Sequence, residues 1–264
     1  MPHPTFDRLS VLLALGASVV LGACHDWTQY DPRVGSSSDT STGTGTGTSG
    51  SGGGGSGSGG SGGGAGVVCT YPLMDDFSAS TLDTTKWKKS ENPDGKLSLA
   101  NEELLITIPS SMTIANSGAE IVSVEAHDMT GCRAFVRLVK APELTTDALA
   151  LLSLDSVVSG HGIVLLATEG NLQAKHKTPA FPAGEPVGAV TPYDPMTPVY
   201  LGISELNGRV TWETSPDAKT WTPIIQLDIQ LPSPMVKLKV GAFTYKPEMA
   251  APGETRFDNV NIAP

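Results

Sequence analysis

From Val67 onward, apolar and polar residues alternate in short runs broken by Gly, Pro, Asn, Asp and Ser, and no stretch sustains a helical period. Residues two apart on a strand share a face, so this alternation buries one face and wets the other. The pattern predicts strands over 102–108, 119–126, 132–141, 147–154, 161–168, 171–177, 199–206, 209–214, 220–227, 235–245 and 255–262. Two connections carry hairpin chemistry. Asn207-Gly208 suits a type I′ turn, whose central residues both need positive φ, and Glu169-Gly170-Asn171 separates two strands in the same way. Arg133, Val136 and Arg137 break strict alternation and leave the register of 132–141 open. Segment 178–198 holds Pro179, Pro182, Pro186, Pro192, Pro195 and Pro198 and reads as surface loop. Many short strands with close turns predict an all-β fold, a two-sheet antiparallel sandwich over 67–264.

The first 66 residues are of another kind. Residues 9–23 form an apolar run, shorter than the roughly 20 residues a membrane span needs and suited to the core of a signal peptide. Residues 35–66 are almost wholly Gly, Ser and Thr and offer little to bury against the cost of ordering a backbone. They are expected to behave as a flexible linker spanning roughly 30 Å root-mean-square. Leu21-Gly22-Ala23-Cys24 resembles the lipobox of bacterial lipoproteins. The resemblance implies diacylglycerol on the Cys24 thiol, cleavage before it, and acylation of the new amine by a fatty acid such as palmitate. The expected organisation is a lipoprotein signal peptide at 1–23, a lipid anchor and disordered linker at 24–66, and the sandwich at 67–264. His25, rather than Asp, follows the cysteine. By resemblance to sorted lipoproteins this favours the outer membrane of the cell envelope, facing the periplasm or the surface, with the membrane as partner through the lipid.

Charge narrows the partners. The formal net charge is -10, and 17 basic residues are scattered among 27 acidic ones, which argues against nucleic acid. Lys86, Lys88 and Lys89 form one small basic group, and Lys175, His176 and Lys177 another; both read as solvated strand faces or turns. Of the three cysteines, Cys24 serves the lipid, and Cys69 and Cys132 are expected to pair in an oxidising compartment. Closing that loop contributes about 4 kcal/mol on the chain-entropy view.

Asp75-Asp76-Phe77-Ser78, followed by Leu82-Asp83-Thr84-Thr85-Lys86-Trp87, resembles the opening of concanavalin A-like lectin/glucanase domains. Residues Trp212 to Trp221 are similar to their late hairpin, and Arg256-Phe257-Asp258-Asn259-Val260 to their closing strand. Uncharacterised lipoproteins of myxobacteria also resemble the chain. The likeness implies a jelly roll with first and last strands side by side. Because carbohydrate-binding jelly rolls often hold a structural calcium near this junction, Asp75, Asp76 and Asp258 are its candidate ligands.

Glucanases of that superfamily carry Glu-x-Asp-x-x-Glu on one strand, and this string is absent. The nearest carboxylates, Glu120, Glu125 and Asp128, do not replace it, because residues five apart on a regular strand point to opposite faces. His127, His161 and His176 follow no metal spacing. Exposed aromatics stack on sugars, which nominates Trp212, Tyr193 and Tyr245 as ligand-binding residues. The expected function is therefore a membrane-anchored lipoprotein presenting a non-catalytic binding module for a glycan or an envelope protein. The alternatives are a structural envelope lipoprotein without ligand and an atypical glycoside hydrolase.

Overall fold

The structure, a computed structural model, describes residues 69–114, 116–144 and 146–264. The leader, Cys24 and the linker lie outside the described residues. Seventeen strands build two antiparallel sheets, with no helix among the described residues. One sheet runs β15 (Thr222–Asp228), β14 (Arg209–Ser215), β13 (Val199–Leu206), β7 (Cys132–Lys140), β17 (Gly253–Asp258), β4 (Glu103–Ile108), β3 (Lys96–Ala100), with β1 (Cys69–Thr70) parallel to β7. The other runs β11 (Phe181–Pro186), β10 (Asn171–Thr178), β9 (Gly162–Thr168), β8 (Ala148–Ser156), β16 (Met235–Thr244), β5 (Gly118–Ser123), β2 (Trp87–Glu91). Outside this order β12 (Thr191–Pro192) joins β10 and β6 (His127–Asp128) joins β16. This is a concanavalin A-like sandwich.

The alternation of the sequence becomes the core. Leu104, Ile106 and Ile108 of β4 face Ala150, Leu152 and Leu154 of β8 and Val236, Leu238 and Val240 of β16 within one buried cluster. The open register of β7 resolves: Cys132, Ala134, Val136 and Leu138 point inward, so Arg133, Phe135 and Arg137 point out. Phe135 is nevertheless buried, because Tyr200, Ala218 and Trp221 cover it. The predicted turns form as expected, with Asn207 and Gly208 at φ 57° and 80°, and Glu169 and Gly170 at 48° and 72°.

Four predicted strands have a boundary that moves by two residues or more, and six strands lie outside the predicted set. Strand 119–126 ends at Ser123, 147–154 runs on to Ser156, 220–227 begins at Thr222, and 255–262 is Gly253–Asp258. Segment 178–198 is not all loop, since β11 and β12 pair with β10. The prolines fit because these are edge strands, where a missing N–H removes no interior ladder bond. The terminal segments lie side by side: Asp75 and Val260 exchange backbone bonds of 3.1 and 2.8 Å. Cys69 and Cys132 are joined by a disulfide, with Cα atoms 4.6 Å apart.

Candidate active site

Two outer faces are available to a ligand, and one is already covered. On the eight-stranded sheet, Trp221 lies over Gly202, where any Cβ would meet its ring at 2.3 Å. The ring also packs on Phe135, and the Arg133 guanidinium stacks 4.5 Å from its centroid. Arg133 is tied in turn to Glu213 by bonds of 2.6 and 3.2 Å.

The nine-stranded sheet is different. Directly paired residues share a face, so the registers place Glu120 (β5), Lys239 and Lys237 (β16), Ser153 and Asp155 (β8), and Lys175 and Lys177 (β10) on its outer side. Their side chains connect. Lys239 Nζ lies 3.3 Å from Glu120 Oε2 and 3.3 Å from Asp155 Oδ2. Lys177 Nζ lies 2.7 Å from Asp155 Oδ1 and 3.2 Å from Ser153 Oγ, and Ser153 Oγ donates to Asp155 at 2.7 Å. Sharing one ammonium keeps Glu120 Oε2 and Asp155 Oδ2 at most about 6.6 Å apart, a bound that admits the ~5–5.5 Å separation of a retaining pair. Glycine stands beside each of them. A Cβ at Gly162 would meet Asp155 Oδ1 at 2.8 Å, and one at Gly241 would meet Glu120 Cβ at 2.9 Å.

Their environments separate their protonation. Burial pushes the Glu120 carboxyl above its ordinary range, and Lys239 only partly offsets this. Burial acts on Asp155 in the same sense, but Lys177 and Lys239, with the hydrogen bonds of Lys177 and Ser153, outweigh it and hold the group well below the usual carboxylate range. Burial also opposes the charge of Lys239, yet Asp155 and Glu120 overcome it and raise its pKa. The two carboxyls are thus shifted in opposite directions, Glu120 toward its acid form and Asp155 toward its anion.

The sequence nominations fall elsewhere. Trp212 is not a sugar platform: it is fully buried, and its Nε1 donates to the Val164 carbonyl at 2.8 Å, because its strand turns Val210 and Trp212 to the core. Tyr193 is half-buried against the core, where burial raises its phenol to about 12, and it lines a shallow hollow with Asp194, Thr214 and Thr222. Tyr245 is exposed beyond the end of β16, with Lys246 Nζ 5.8 Å from its ring centre. The aspartates do not assemble a calcium site. Asp75 accepts from Trp87 Nε1 at 2.7 Å and from Phe77 N at 2.9 Å, with Lys86 3.7 Å away, so a cation is already beside it. Asp76 binds Ser78, and Asp258 faces Arg137 at 3.5 Å. Among the described residues no group of three or more His, Cys, Asp or Glu is placed to hold a metal ion.

Glu125 and Asp128 of its own segment are not the partners of Glu120; Asp155 sits two strands away, on the far side of β16. A pair made by sheet order leaves no local string.

No family model and no curated protein matches the chain. Solved structures do. The catalytic domain of an endo-1,3-β-glucanase (laminarinase) from Thermotoga petrophila RKU-1 superposes with TM-score 0.55 at 10% identity, covering 73% of this chain and 95% of that one. A β-1,3-glucanase from Mycobacterium marinum gives 0.54 at 12%, covering 72% and 97%. LamA of Z. galactanivorans, in complex with laminaritriose and laminaritetraose, gives 0.52 at 13%, covering 73% and 96%. The expectation of a non-catalytic module is corrected at this point. The fold is the one these glucanases use as a catalytic scaffold, and two carboxylates, Glu120 and Asp155, are brought together across three strands of this chain.

Proposed function

We propose that this protein is a glycoside hydrolase that cleaves a polysaccharide laid across the outer face of the nine-stranded sheet. The observation that carries the reading is the Glu120–Lys239–Asp155 arrangement: two carboxyls held close by one ammonium, with the pKa of Glu120 raised and that of Asp155 lowered. In the proposed reaction Glu120 gives its proton to the glycosidic oxygen as the bond to the anomeric carbon breaks. Asp155 attacks that carbon from the other side and forms a glycosyl ester. Water, losing its proton to Glu120, then displaces Asp155 and restores both groups. Lys239 and Lys177 keep Asp155 ionised between turnovers. Two surface hollows of about 160 and 260 Å³, one beside Asp76 and Lys86 and the other beside Tyr193 and Thr214, lie off this face. A polymer crossing an open strip needs neither.

The test is reducing-end release from laminarin by the full chain, laminarin being chosen because its oligosaccharides and β-1,3-glucanases are named for the similar structures. Glu120→Gln and Asp155→Asn are each expected to lower kcat at least about 100-fold. Activity should hold in mildly acidic solution and fall as pH rises through the raised pKa of Glu120, since the acid form is then lost. Undiminished hydrolysis by both variants would remove the proposal.

A polymer substrate does not cross a membrane, so such an enzyme belongs outside the cytoplasm. The same proposal therefore includes the leader at 1–23, lipidation of Cys24, the linker to residue 66 and an outer-membrane location. Labelled palmitate is expected to enter the protein and to be lost entirely in Cys24→Ser; equal labelling of the two overturns this part.

A further inference from the structure

The basic group Lys175-His176-Lys177 takes on a role once the sheet is assembled. His176 pairs with inward-facing Ile163, so Lys175 and Lys177 point outward together. Across the middle of this face run Lys175 and Lys177 of β10 and Lys237 and Lys239 of β16, with Glu120 and Asp155 as the carboxylates among them. The same registers add Lys88 of β2 and Asp128 of β6 to this side, so five ammonium groups stand against three carboxylates, an excess of positive charge in a chain whose net charge is -10.

Glu120 and Asp155 are committed to Lys239 and Lys177. Lys175 is not served by them. It stands between Val164 of β9 and Pro186 of β11, with its stem 3.1 Å from the position a Cβ would take on Gly184. Its ammonium is pulled below the ordinary lysine range by burial alone, with no carboxylate acting in the other direction. A half-buried cation without a counter-charge gains from any anion brought to it, because the desolvation cost is already met in the free protein. Lys175 lies two strands from β8, about 10 Å at the usual strand spacing, so an anion there sits along the same polymer as a bond placed over Asp155.

We propose that the polysaccharide taken by this face is an acidic one, bearing carboxylate or sulfate groups, with one such group seated on Lys175 and further ones along Lys237. The inference rests on the reading of this face as a glycan-cleaving site. It narrows the substrate to a charged class that the named β-1,3-glucanases do not indicate.

The experiment measures binding and reducing-end release by the full chain on unmodified laminarin, sulfated laminarin and polygalacturonate, at about 20 mM and about 200 mM salt, a range over which screening changes strongly. An acidic polymer is expected to bind or be cut on the order of tenfold better than laminarin at low salt, with the advantage shrinking at high salt and falling several-fold in Lys175→Gln. Lys237→Gln provides a second variant on the same strip, and Lys219→Gln, on a loop of the other sheet, serves as the charge control and should leave binding unchanged. If laminarin is cut and neither acidic polymer is bound better, the acidic-substrate inference fails while the hydrolase stands. If an acidic polymer binds through Lys175 and nothing is cut, the hydrolase fails while the anionic strip stands. Equal loss of binding in Lys219→Gln and Lys175→Gln also overturns the inference, because general charge would then explain it.

Discussion

Lys239→Met is expected to destabilise the protein by about 3–5 kcal/mol near neutral pH, the cost of breaking a buried ion pair from one side. The ammonium is 16% exposed and serves two carboxylates at once. Asp155 would keep Lys177, but Glu120, at 8% side-chain exposure, would lose the ammonium that stands 3.3 Å from it. The effect should depend on pH with a definite sign. In the native protein Asp155 titrates below its unfolded value, so its contribution is present above the unfolded pKa and disappears as pH falls through the folded one. Glu120 titrates above its unfolded value, so folding is favoured below the unfolded pKa, and that contribution declines as pH rises through the folded one. Removing Lys239 raises both folded values. The deficit should therefore be largest near pH 7 and shrink toward about pH 4, where Glu120 is protonated in either protein. Urea denaturation of both proteins at the two pH values measures it. A deficit under about 1 kcal/mol at neutral pH would mean the pair is solvated enough to do without its ammonium.

Trp212→Ala is expected to cost about 3–5 kcal/mol, the range for emptying a large aromatic site in a packed core. Trp212 is among the largest side chains with no exposure, and it bridges the sheets by donating to the Val164 carbonyl. Trp212→Phe separates the two contributions. It refills most of the volume but leaves that carbonyl without its donor, for an expected loss of about 1–3 kcal/mol. If the alanine variant is as stable as the parent and binds sugar less well, the residue faces solvent and the inward assignment of β14 is mistaken.

How far the sequence disclosed this molecule can be followed through particular strands. Strands 199–206 and 209–214 were legible because their interior sides are continuous and Asn207-Gly208 leaves little choice of turn. The strand β2 was not: in Trp87-Lys88-Lys89-Ser90-Glu91 only the tryptophan is buried, so an edge strand of this kind carries no alternation to read. β11 failed for a related reason, having exposed prolines at Pro182 and Pro186. The disulfide needed only a count of cysteines and an oxidising compartment. The Glu120–Asp155 pair needed the order β5-β16-β8, and strand order is settled by long-range packing that no local string records. The aromatic nominations went wrong in the opposite direction, since a tryptophan in an alternating strand serves core and groove equally well until its neighbours are placed.

The Cys69–Cys132 bond also bears on how the sandwich responds to mechanical load. Cys69 opens a two-residue strand at the N-terminal edge of the described chain, while Cys132 opens β7, flanked by β13 and β17 in mid-sheet. Tension applied from the N-terminal side would, without the bond, unzip β1 one hydrogen bond at a time. With the bond in place the tension passes covalently into β7, whose ladders on both sides must then be sheared together. A pull from the N-terminal side would thereby grip the sandwich by its middle rather than by a loose thread.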